Sequence, residues 1–196
     1  METLKSINII WIISFLLFLS GCDSSITNED EPGKHLDSES PSAVTQQVTD
    51  SDLNATLAQV RRATAPYHNV DKAEADGYVQ ISPFVPGMGY HYVNGAFMDD
   101  EVIPTQPEAF VYVDNPAKDD ARRLVAVEYI IPDPEKQMSH SDLDNKFSVV
   151  DGDKWHYDPQ VGPEDNPGSW TLHAWIWYPN PEGVFHAHNP RVEDGS

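Results

Sequence analysis

Two apolar periodicities divide the chain from Asp52 onward. Leu53, Leu57, Val60, Thr64 and Tyr67 recur every three or four residues, the spacing of one helix face, with Asp52 placed as the cap. Pro66 predicts the end of that helix or a kink in it. Asn69 predicts the cap of a second short helical turn through Val70, Ala73 and Ala75, which Gly77 ends in a left-handed conformation. Thereafter the period is two. Tyr78 to Val85 is a short apolar run closed by Pro86-Gly87, and in Met88 to Val93 the residues Tyr90 and Tyr92 face one side, His91 and Val93 the other. Asn94-Gly95 is a turn signal, and Ala109 to Val113 reads as a further strand closed by Asp114-Asn115-Pro116. Leu124 to Ile131 is apolar almost throughout, which predicts a central strand. Trp170, Leu172, Ala174 and Ile176 alternate with Thr171, His173, Trp175 and Trp177 before the turn formers of Tyr178 to Gly183. Between the last two strands, Asp133 to Ser169 is rich in Asp, Pro, Gly and Asn and predicts a long loop anchored by Trp155. The pattern predicts one α+β domain over 52–196: an N-terminal helix packed on a mainly antiparallel sheet, with a long acidic loop on one edge.

The first 51 residues have a different character. Lys5 precedes an apolar stretch from Ile9 to Leu19, too short to span a bilayer comfortably, so residues 1–21 read as a signal peptide. Leu19-Ser20-Gly21-Cys22 resembles the bacterial lipobox, which implies a lipoprotein whose Cys22 carries the acyl chains and becomes the mature N-terminus. An uncleaved anchor with a chance cysteine is the alternative. Residues 22–51, without an aromatic side chain and dominated by Ser, Thr, Asp, Glu, Gln and Pro, read as a disordered tether that also carries His35. Asp23 is similar to the inner-membrane retention signal of enteric-type lipoproteins. The predicted location is the cell envelope, extracytoplasmic, with the protein lipid-anchored to a bacterial membrane. Cys22 is the only cysteine, so the domain must hold together by its core without an internal disulfide.

A formal net charge of -20 sets nucleic acid and anionic headgroups aside as partners, because both would be repelled. The same charge fits a solvated surface or a cationic ligand. Candidate partners are the membrane through Cys22, a small ligand, or an envelope protein.

Histidines in apolar strands carry the candidate chemistry. His91, Glu128 and His173 each lie mid-strand, and if those strands are neighbours the three side chains converge on one face. Two imidazoles and a carboxylate suit a divalent zinc, iron or manganese ion with positions left open. Glu128 shares its face with Leu124, Ala126 and Ile130 by strand parity, and a buried carboxylate requires a partner: Arg122, Arg123, a tyrosine, a histidine or a metal. The competing reading is an aromatic core in which Glu128 accepts a hydrogen bond from one of the histidines. His186 and His188 are secondary metal candidates, since on a strand both rings would share a face. Asn189-Pro190 makes a loop there equally consistent.

His68, His140 and His156 read as local or solvated residues. Other chemistries find little support. Gly87-Met88-Gly89 lacks the third glycine and following helix of a dinucleotide site, and neither a G-x-S-x-G elbow nor a thiol is present in the domain. Asp151-Gly152-Asp153 fails as a calcium loop, because Gly162 stands where a bidentate glutamate is needed. Trp170, Trp175, Trp177, Tyr90 and Tyr92 form either core or a stacking platform for an apolar-faced ligand.

FVPGMGYHYVN at 84–94, RLVAVEYIIP at 123–132, WTLHAWIWYPNPEGVF at 170–185 and YHNVDKAEADGY at 67–78 together resemble an uncharacterised family of secreted bacterial and archaeal proteins. The resemblance covers most of 52–192 and implies one extracytoplasmic domain without assigning a mechanism. His186 and His188 fall outside its pattern. Three functions remain open: a ligand- or metal-binding module, a metal-dependent enzyme of hydrolase or oxygenase type using His91, Glu128 and His173, and a structural envelope protein.

Overall fold

Helix α1 (Asp50–Thr64) starts earlier than its apolar spacing suggests. Thr49 is the cap: its hydroxyl accepts from the Asp52 amide at 3.2 Å, and the Asp52 carboxylate accepts from the Thr49 amide at 3.1 Å. Asp52 therefore closes a capping box from inside the first turn, so that the pair satisfies two otherwise orphaned amides. Pro66 ends the α-helix without ending the helical path. It sits in the first turn of a 3₁₀ segment, Ala65–His68, where a missing N–H leaves no bond unmade. Asn69 then caps α2 (Val70–Ala75), accepting from the Asp71 amide at 3.2 Å, and Gly77 follows at φ 96°, as expected.

The computed structural model describes residues 49–118, 121–144, 146–147, 149–160 and 168–193, all within the unit Thr45–Ser196. The expected signal peptide, lipobox with Cys22, Asp23 and most of the tether lie outside the described residues. Among the described residues no helix is long and apolar enough to cross a membrane.

Six strands form one antiparallel sheet in the order β1-β2-β3-β4-β6-β5, which makes the domain α+β. They are β1 (Val79–Gln80), β2 (Tyr90–Val93), β3 (Ala109–Asp114), β4 (Arg122–Pro132), β5 (His156–Asp158) and β6 (Ser169–Ala174). The apolar β4 is central, as its composition predicts. The acidic excursion after it is more structured than expected, carrying a short helix α3 (His140–Leu143) and the edge strand β5. Its anchors explain this. Trp155 is buried, and the Asp133 carboxylate accepts from the amides of Gln137 and Met138 at 2.8 Å and from the Trp170 indole at 3.0 Å. Asp151-Gly152-Asp153 falls at a 3₁₀ turn, with Gly152 so close to the His140 carbonyl that a β-carbon would clash.

The sheet is covered on both faces. Leu57, Val60 and Ala73 pack against Phe110, Tyr112, Val127, Tyr129, Ile131 and Leu172 on the helical side. The opposite face carries Val111, Val113, Val125, Ala126 and Trp175 in one cluster and Val93, Ala109 and Ile130 in another. Burial of each large side chain contributes about 1.5–3 kcal/mol.

A β-bulge separates the two ends of β4. Val111 pairs with Ala126 and Tyr112 with Leu124, so Val125 has no partner on β3, and its carbonyl accepts from the amides of Trp177 and Tyr178 at 3.2 and 3.1 Å. The extra residue inverts the alternation. Leu124 turns to the helical face, and Glu128 keeps Ala126 and Ile130, but not Leu124, as same-face neighbours.

Candidate metal centre

Cross-strand register puts Glu128 directly opposite His173, with side chains on the same face. His91 is one strand further away than the sequence reading required, because β3 lies between β2 and β4. With strands about 4.8 Å apart, His91 and Glu128 must close a backbone separation of roughly 10 Å. The intervening positions permit it: Ala109 lies opposite Glu128, and Val111 lies opposite both His91 and Ala126. Over these small residues the two side chains lean together.

The result is a cluster sealed into the sheet. His91 Nε2 lies 3.8 Å from Glu128 Oε2, His173 Nε2 lies 3.7 Å from Glu128 Oε1, and one donor atom from each residue falls within 4.8 Å of the others. The two imidazoles meet edge to face at 5.8 Å between ring centres. Glu128 is 4% and His173 1% exposed. Among the described residues this is the one group of three or more His, Cys, Asp or Glu side chains arranged to share an ion.

Those separations bear on both readings of the cluster. At 3.7 and 3.8 Å neither imidazole is hydrogen-bonded to Glu128, contrary to what an aromatic core with an internal His–Glu bond requires. Both ring nitrogens of His173 are buried without a hydrogen-bond partner among the described residues. A buried unsatisfied polar atom costs about 1–3 kcal/mol. Ligand atoms bound at about 2.0–2.2 Å in a tetrahedral site stand about 3.3–3.6 Å from one another, so each His–Glu pair is within a few tenths of an ångström of that spacing, whereas the widest separation in the set, up to 4.8 Å, has to close by roughly 1.2–1.5 Å around an ion.

Supporting groups orient the donors. Ser82 Oγ accepts from the His91 amide at 3.1 Å and lies 3.1 Å from His91 Nδ1. In the tautomer where Nδ1–H donates to Ser82, Nε2 turns its lone pair toward Glu128. Thr171, two residues from His173 on the same strand face, lies beside Glu128 and favours its ionised form. Trp175 stacks on the His173 ring at 5.8 Å and is itself held by an indole bond to the His186 carbonyl at 2.7 Å.

Without an ion the three side chains are uncharged near pH 7. Burial pushes the Glu128 carboxyl up to about 8, with Asp158 and Glu108 adding in the same direction. Burial also pushes His91 down to about 4, and burial together with the neighbouring His91 holds His173 well below the ordinary histidine range. Uncharged imidazoles are the form that binds metal.

A cavity of about 260 Å³ opens beside the three donors, lined by Ile81, Ser82, Pro83, Val85 and Met88 from the β1–β2 connection and by Asp158, Gln160 and Thr171. Gly89, at φ 113°, lies against the Tyr112 carbonyl so closely that a β-carbon would clash, which lets this connection fold onto the sheet. That is the structural part played by the Gly-Met-Gly motif.

The secondary candidates are elsewhere. His186 and His188 lie on an exposed turn, not a strand, and the His186 Nδ1–H donates to the His188 carbonyl at 2.9 Å while facing Glu182 at 3.1 Å. Prolines 179, 181 and 190 around the pair favour that turn. His68 meets the edge of Trp177, His140 that of Trp170, and His156 is exposed on β5. Trp170, Trp175 and Tyr92 are buried in the core and offer no open stacking surface.

Ser82, Thr171 and Glu108 are missing from the sequence reading. Thr171 was legible, since it stands two residues from His173 on the same strand face, whereas Ser82 belongs to a connection whose path no periodicity fixes. Glu108 precedes β3, and its carboxyl accepts from the Ile130 amide at 3.1 Å where the β3–β4 ladder ends. No family model matches the chain, and neither a curated protein nor a solved structure matches it.

Proposed function

We propose that this protein is an extracytoplasmic metal-binding module, anchored to a bacterial membrane by lipid on Cys22, in which His91, Glu128 and His173 hold a zinc, iron or manganese ion. The observation that carries the metal reading is the fully buried His173 ring, with both nitrogens unpartnered and Nε2 facing Glu128 at 3.7 Å. The anchor rests on Leu19-Ser20-Gly21-Cys22, and the secreted family resemblance supports the same location. The cavity beside three protein donors favours a second reading, a metal-dependent hydrolase or oxygenase, with open positions for water or oxygen and Glu128 as ligand or base.

Elemental analysis of the mature protein, prepared without a histidine tag, tests the metal. About one ion per chain is expected in the wild type and background levels in His91→Ala and His173→Ala, with unchanged circular dichroism. Folded protein that carries no metal and takes up no added zinc, iron, manganese or copper contradicts the proposal. Cell fractionation tests the anchor: the wild type is expected with membranes and Cys22→Ala with the soluble fraction. Persistence of Cys22→Ala in membranes would instead indicate an uncleaved apolar segment.

A further inference from the structure

We infer that the open coordination position takes a small monoanionic organic molecule, an aliphatic or aromatic carboxylate, with its charged group on the ion and its apolar body against Ile81, Val85 and Met88. This rests on the metal reading and adds the ligand class. Charge gives the first reason. Two neutral imidazoles and one carboxylate leave a divalent ion with one uncompensated positive charge inside the sheet, where such a charge is poorly solvated. Glu108, the other buried carboxyl nearby, is occupied by the Ile130 amide, and Asp158 is exposed to solvent that screens it. An exogenous anion completes the balance.

The wall gives the second. Ile81, Pro83, Val85 and Met88 present apolar surface to the cavity from a connection tied down along its length. The Ile81 amide donates to the His91 carbonyl at 2.9 Å, Val85 and Gly89 exchange bonds across a tight turn, and the Gly87 amide donates to the Val192 carbonyl at 2.7 Å. Hydroxide would satisfy the ion but leave this wall facing water.

The third reason is that the cavity offers few polar side chains. Ser82 is occupied with His91, and Asp158 accepts from the Gln160 backbone amide at 2.9 Å, which leaves Thr171 and the exposed Gln160 side chain as the other polar groups of the lining. A sugar or polyol would find few free partners, whereas a carboxylate needs only the ion. At about 260 Å³ the cavity also admits only a small body, since small-molecule sites run upward from roughly 300 Å³.

Calorimetric titration of zinc-loaded mature protein, with metal content measured on the same sample, tests this using benzoate and hexanoate as probes. Both are expected to bind at least ten-fold more tightly than benzamide, hexanol or acetate, and not at all after zinc is stripped. In Met88→Gln at equal bound zinc, the affinity for hexanoate is expected to fall about ten-fold. Stoichiometric zinc with benzoate and hexanoate no tighter than acetate or the neutral analogues overturns the ligand class and leaves the metal centre standing. Probe binding that survives zinc removal overturns the role of the ion as anchor. Failure to take up any metal overturns both readings.

Discussion

Zinc added to metal-stripped protein is expected to raise its melting temperature by roughly 6–15 °C, and Glu128→Gln is expected to abolish most of that rise. Ligand at about 100 to 1,000 times its dissociation constant stabilises the folded state by about 2.7–4.1 kcal/mol. For a domain of this size each kcal/mol moves the midpoint by roughly 2–4 °C. The ion acts on a centre whose donors are desolvated and unpartnered: His173 offers both nitrogens, and Glu128 reaches neither histidine within hydrogen-bond distance. Glu128→Gln is an informative control because burial holds the native carboxyl largely neutral near pH 7, so a neutral amide perturbs the empty protein little. Differential scanning calorimetry with and without zinc reads both quantities. An equal rise in the variant would place the stabilising ion elsewhere on the acidic surface.

Without metal, the protein is expected to lose several kcal/mol of stability between about pH 6.5 and pH 8. Glu108 and Glu128 are pushed from 4.5 to about 8 in the folded state, chiefly by burial. Each is therefore protonated in the fold and ionised in the unfolded chain across that interval, so its contribution is complete below 4.5 and lost as pH rises through 8. His91 and His173 have the opposite sign. Their folded pKa values lie below 6.5, so their contribution is present above 6.5 and lost as pH falls.

Between about 4.5 and 6.5 the two pairs oppose each other and stability is expected to be nearly flat. Above 6.5 the carboxyls act alone, at about 1.4 kcal/mol per pH unit for each group. Glu108→Gln, which keeps an acceptor for the Ile130 amide, is expected to halve the slope. Chemical denaturation across the pH series measures it, and stability that stays level or rises from 6.5 to 8 would mean that both carboxyls are ionised in the fold.

Much of the framework was legible in the chain because local rules acted without competition. The apolar run Leu124 to Ile131 pointed to a covered central strand, and Asn69 with Gly77 bracketed α2 by cap chemistry alone. His91, Glu128 and His173 could be picked out as mid-strand polar residues, and their convergence was conditional on the strands being neighbours in matching register. Longer-range choices were less accessible. The capping box at Thr49 and Asp52 competed with a simple cap at Asp52, and reciprocal bonding won. The bulge at Val125 is set by pairing with β3 and by the returning Trp177 and Tyr178 amides, which no reading of β4 by itself contains. Strand order likewise hid the crossing over β3 that joins His91 to the other two donors, a crossing made possible by Ala109. For His186 and His188 strand and loop were equally consistent, since spacing alone cannot tell a two-residue strand repeat from a turn, and the structure has the turn.

Anomalous diffraction from crystals of the metal-loaded protein, collected on either side of the absorption edge of the bound ion, is the most direct test of the centre. The expected result is one strong peak within about 2.0–2.2 Å of Nε2 of His91, Nε2 of His173 and a carboxylate oxygen of Glu128. A map with no peak among these side chains, or with its peak at the exposed turn of Glu182, His186 and His188, would contradict the metal centre.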